Sequence, residues 1–222
     1  MRKTIIAAVV ALALMVGVVS TAAADGLQLF SGRTMEKGMA FNFSVGAPDA
    51  SFMFVGALTK DFDLGGILRL GYLNPVGFGA GGFWMEIAAT ARYTIFDRGS
   101  YNLAIRGDLG PVFNIVNNYI ADAFMGGFTL APYVLIGIPL KDVVSINVGA
   151  GLPIILLFRD GVTIAEIPIA FVFGAEVFIQ KNLTFNFNAE MGPGIWVCTT
   201  GGATTNGVQF YGLFKVGITY GF

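Results

Sequence analysis

Val208 to Phe222 (VQFYGLFKVGITYGF) constrains the fold more than any other stretch. Val208, Phe210, Phe214, Val216, Ile218, Tyr220 and Phe222 fall on one parity, and Gln209, Tyr211, Lys215, Gly217 and Thr219 fall on the other. Alternation with a period of two is the signature of a β-strand with one apolar face. Lipid is the expected cover for such a face.

The same pattern recurs upstream. From Met39 onward the chain divides into alternating segments of roughly ten residues bounded by turn chemistry. The predicted strands are 39–46, 51–59, 64–73, 83–96, 101–111, 127–140, 143–153, 162–178, 183–194 and the terminal 208–222. In the cleanest of them Phe185, Phe187, Ala189 and Met191 oppose Thr184, Asn186, Asn188 and Glu190. Turns at Lys60, Asp97, Lys141 and Gln180 share one end, with Phe62, Phe96, Tyr101, Phe178, Tyr220 and Phe222 beside them as a headgroup girdle. The expected fold is all-β: a transmembrane antiparallel up-and-down β-barrel of about ten strands, or eight if the first hairpin is lost.

The terminal strand resembles the C-terminal strand of bacterial outer-membrane β-barrels, with Val216, Ile218, Tyr220 and Phe222 at the positions that act as the assembly signal in that family. Over residues 39 to 222 the architecture is similar to the small barrels of the outer-membrane protein A, OmpW and OmpX type. The resemblance implies a Gram-negative bacterium and a place in its outer membrane. The implied partners are lipid and the outer-membrane assembly machinery, with small solutes if the lumen conducts.

Composition agrees. With 55% apolar and 12% charged residues and a mean hydropathy of +0.72, the chain does not describe a soluble protein. Lys and Arg never cluster, so a nucleic-acid partner has no electrostatic basis. Met1 to Ala24 carries Arg2 and Lys3, an apolar run from Ile5 to Val19 and the small residues Ala22 to Ala24, which predicts a signal peptide cleaved after Ala24. Its removal takes Arg2 and Lys3 from the 13 basic residues and leaves a mildly acidic chain. Asp25 to Gly38 reads as a short periplasmic lead-in, too small for a plug domain. A helical inner-membrane protein is the competing membrane reading for Leu130 to Phe158 and Val162 to Ile179, but Pro132, Pro139, Pro153 and Pro168 interrupt those runs.

Histidine is absent, which removes most neutral-pH hydrolase chemistry. Known enzymes of the resembled architecture use a catalytic His, so the expectation is no enzyme, no cofactor and no metal. Gly77, Gly79 and Gly82 match GxGxxG, but a strand rather than a helix follows them. The lone Cys198 reads as an unremarkable residue near the outer rim, with Trp196 at the interface.

The inward charges are more informative. Arg69, Arg92 and Arg106 stand at similar heights on three consecutive strands, with Asp108, Glu190 and Lys215 somewhat higher. Equal heights predict Glu190 and Lys215 as cross-strand partners, and Glu176 and Glu190 as facing the arginine wall across the lumen. The two signs nearly balance once Glu86 and Glu166 are added. Two readings follow: a salt-bridged lumen with a structural role, or a narrow charge-lined, porin-like channel for ions or small solutes. Small inward residues such as Gly71, Gly149 and Gly151 leave room for the second. Adhesion or host contact is disfavoured by short loops.

Overall fold

The computed structural model describes residues 29–35, 37–73, 81–114, 124–140 and 143–222. The signal-peptide reading of 1–24, most of the Gly-rich loop with Gly77 and Gly79, the polar loop with Asn117, Asn118 and Asp122, and the Lys141–Asp142 turn lie outside them. Twelve strands form one antiparallel sheet: β1 (Met39–Ala47), β2 (Asp49–Thr59), β3 (Phe62–Leu73), β4 (Gly81–Asp97), β5 (Asn102–Asn114), β6 (Met125–Leu140), β7 (Val144–Gly151), β8 (Ile154–Arg159), β9 (Val162–Pro168), β10 (Ala170–Gln180), β11 (Leu183–Thr200) and β12 (Ala203–Gly221). β7 and β8 both pair with β6, and β9 and β10 both pair with β11. Each couple is therefore one stave interrupted at Leu152-Pro153 or Ile169, and the wall has ten staves. β1 pairs with β12 from Ala40↔Gly221 to Ala47↔Phe214, which closes the ring.

Ten staves and closure agree with the alternation, and among the described residues every regular element is a strand. The parity holds around the ring. Phe41, Phe43, Phe54, Ile87, Tyr93, Ile105, Leu130, Phe173, Phe214 and Ile218 are all exposed on the outside, while Asn42, Ser44, Thr90, Asn147, Asn186 and Thr219 are buried inside. Apolar outside and polar inside inverts a soluble core and is the arrangement that lipid stabilises.

Three expectations change. The terminal hairpin has no long loop between the predicted strands 183–194 and 208–222: β11 and β12 stay paired to Thr200↔Ala203. Gly201 and Gly202 turn it at φ of 57° and 86°, and two successive positive φ values are what a two-residue hairpin turn requires. The stave begun by β7 likewise resumes beyond Pro153 as β8. Phe178, placed in the outer girdle by its position near a turn, shares the parity of Glu176 and is buried.

Candidate functional site

The lumen is where polar chemistry concentrates, and it is built in three layers. At the end that carries the short turns, called the near end here, the barrel holds part of its own chain. Residues 29–35, which the sequence reading leaves as a lead-in, run inside the wall. The amides of Leu29 and Phe30 both donate to Glu176 Oε1, at 2.6 and 3.1 Å, while Asn147 Nδ2 donates to Glu176 Oε2 at 3.0 Å. The Met35 amide donates to Asp63, at 3.2 and 3.1 Å to its two oxygens. Asp63 also takes Arg92 Nη2 at 2.5 Å, and Arg92 Nη1 donates to Ser31 O at 3.3 Å. The Thr34 amide donates to Thr94 Oγ1 at 2.9 Å. Leu29, Phe30 and Met35 complete the layer by packing on Ala40, Met53, Val55 and Ile67.

The middle layer is an ion-pair lattice between neighbouring staves. Register places Arg69 opposite Glu86 and Thr90 opposite Asp108. Arg69 spans both carboxylates, with Nη1 at 3.1 Å from Glu86 and Nη2 at 3.0 Å from Asp108. Asp108 also accepts Arg106 Nε at 2.9 Å and Thr90 Oγ1 at 2.6 Å. Arg92 and Arg106 are directly opposed, and the repulsion is relieved by divergence: Arg92 turns to Asp63 and Arg106 to Asp108. The Arg106 guanidinium lies 5.3 Å from the centre of the Tyr133 ring, a cation–π distance.

Glu190 and Lys215 are not partners. The tight Gly201-Gly202 turn sets the β11–β12 register so that Lys215 faces Asn188 and Glu190 faces Leu213. Heights counted from the near end miss this by two residues, because the ladder is fixed from its other end. Lys215 pairs instead with Asp49 and donates to Ser51 Oγ at 3.2 Å. Glu190 accepts the Tyr133 and Tyr211 hydroxyls at 3.2 and 3.1 Å. Glu176 takes main-chain amides and Asn147 as its hydrogen-bond donors, with the Arg92 charge acting on it from the same layer. Thus Arg69, Arg106, Asp108 and Lys215 belong to the middle lattice, Glu190 to a tyrosine pair beside it, and Arg92 and Glu176 to the near-end layer.

Asp49 and Asp63 are the charges that sequence reasoning missed. Both are 1% exposed, yet each sits beside a turn and reads as a turn former. Parity held the signal: Asp49 continues the inward series of Ser51, Met53 and Val55, and Asp63 that of Ile67 and Arg69.

Beyond the lattice, Val112, Met125 and Leu157 are buried in a cluster with Trp84, Ile155, Val162 and Ile164. The small inward residues leave less room than expected, because rings fill the space beside them: Trp84 lies over Gly71 and Tyr133 over Gly151. Between the near-end and middle layers remains a pocket of about 10 Å³ touching Leu29, Asp63, Thr90, Arg92 and Arg106, space for roughly one water. Among the described residues no group of three or more Cys, Asp or Glu is placed to hold a metal ion.

No protein-family model matches the sequence, and no curated protein matches it. Among solved structures the chain is similar to the outer membrane protease OmpT from Escherichia coli, at 7% identity and a TM-score of 0.39, over 84% of this chain and 93% of that one.

Proposed function

We propose that this chain is an integral protein of a bacterial outer membrane, with a structural, non-enzymatic role and a lumen closed to solutes. The observation that carries the closure is the sequence of layers across the lumen: a docked segment, an ion-pair lattice and an apolar cluster. Buried charges of opposite sign that pair in good geometry have no need of water, and removing one partner is costly. The apolar exterior, the signal peptide read at Met1 to Ala24 and the terminal Val216, Ile218, Tyr220 and Phe222 support the outer-membrane placement.

Planar-bilayer recording on the purified full chain tests the closure. The expected result is a silent bilayer. Discrete conductance steps that change when Arg92 or Arg106 is neutralised would overturn it in favour of a narrow channel. Placement has its own test. Phe222 exchanges backbone hydrogen bonds with Met39 at 3.0 and 2.9 Å, so deleting Phe222 should reduce the heat-modifiable barrel in the outer membrane while export continues.

A further inference from the structure

The contacts that hold residues 29–35 are those of a receptor with its ligand. Main-chain groups carry most of them: the amides of Leu29, Phe30, Thr34 and Met35 donate, and the carbonyl of Ser31 accepts. The wall supplies complementary groups from three separate staves: Asp63 on β3, Arg92 and Thr94 on β4 and Glu176 on β10. Side chains add selectivity: Thr34 Oγ1 donates to Lys60 O at 2.8 Å and Arg33 Nε pairs with Asp97 at 3.2 Å. Leu29, Phe30 and Met35 enter an apolar recess on β1 to β3, and at Gly32 a Cβ would sit 2.6 Å from Asn102 O and 2.7 Å from Leu135 O. Those are backbone atoms of the wall and cannot swing aside.

The recess itself asks for an occupant. Met53, Val55 and Ile67 are inward apolar residues on the wall of the near-end layer, and Leu29, Phe30 and Met35 of the segment pack on them there. Glu176 would likewise lose both amides on its Oε1 if the segment left. A buried carboxylate left with Asn147 as its donor on one oxygen and none on the other is costly, so a vacated site favours refilling by chemistry of the same kind.

We infer that the near-end lumen is a peptide-binding site. Its ligand class is a chain bent over its first four residues, with apolar side chains at its first, second and seventh positions and glycine at its fourth. Residues 29–35 fill it from within the same molecule. The site recognises main chain rather than a covalent connection, so it retains the segment after the link to β1 is cut and exchanges it for free peptide.

The test uses the full chain with a specific protease sequence inserted between the exposed Lys37 and Gly38, cut after folding. The expected result has three parts: the released segment stays with the barrel through gel filtration, labelled synthetic peptide of residues 29–37 replaces it saturably, and the Gly32→Ala peptide competes about tenfold less well or worse. Loss of the segment from a barrel that keeps its heat-modifiable mobility would overturn the inference. So would collapse of the barrel on cutting, or exchange indifferent to Gly32→Ala. None of these readouts is a conductance, so this site and the closed lumen stand or fall separately.

Discussion

The near-end and middle layers of the lumen bury carboxylates equally deeply and satisfy them in opposite ways. In the middle, Asp108 takes Arg106 from its own stave, Thr90 from the next and Arg69 from the one beyond that. These partners are brought together by the same ladders that make the wall, so the lattice exists as soon as the sheet is in register. At the near end, Glu176 takes amides from residues more than a hundred positions away that belong to no strand. That layer is complete only when a separate piece of chain has been placed. The wall thus builds one layer by itself and needs an insertion to build the other.

The largest expected effect comes from attacking the self-built layer. Asp108→Ala leaves Arg69 and Arg106 buried without their shared carboxylate, and it should cost about 3–5 kcal/mol, read as a fall in the urea midpoint in lipid vesicles. A loss below about 1 kcal/mol would mean that the lattice is not the unit described. Gly32→Ala attacks the inserted layer and should cost about 1–3 kcal/mol as overpacking. It should also speed proteolysis near Lys37 while leaving the middle lattice intact. Combining the two sharpens the comparison, since separate layers give costs that add within about 0.5 kcal/mol. Smallest is Glu190→Gln, which keeps an acceptor for Tyr133 and Tyr211 and should change stability by less than about 1 kcal/mol. A larger loss would put Glu190 inside the ion-pair lattice.

Much of this was legible from alternation alone. Parity placed Arg69, Arg92, Arg106, Asp108, Glu176, Glu190 and Lys215 on the inside, and spacing implied the ten-stave ring. Partner choice was not legible, because it depends on a two-residue shift that a Gly-Gly turn imposes at the far end of β12. The inserted segment was hidden for a different reason: most of its hydrogen bonds use main-chain groups, which every residue has, so no side-chain pattern announces those. The one available clue lay on the wall, where Met53, Val55 and Ile67 put apolar side chains on a polar parity.

The closing seam has a mechanical consequence. The β11–β12 ladder runs unbroken from Leu183↔Tyr220 to Thr200↔Ala203, whereas the β1–β12 ladder ends at Ala47↔Phe214. From Ala203 to Leu213 β12 runs on past the end of the β1 ladder. Of the two rows of stitches on β12, the one to β1 is the shorter, with eight paired positions against eighteen to β11, so under load β1 is expected to peel from β12 while β12 stays fastened to β11. The rupture starts beside the turn at Pro48, where the row of hydrogen bonds gives out.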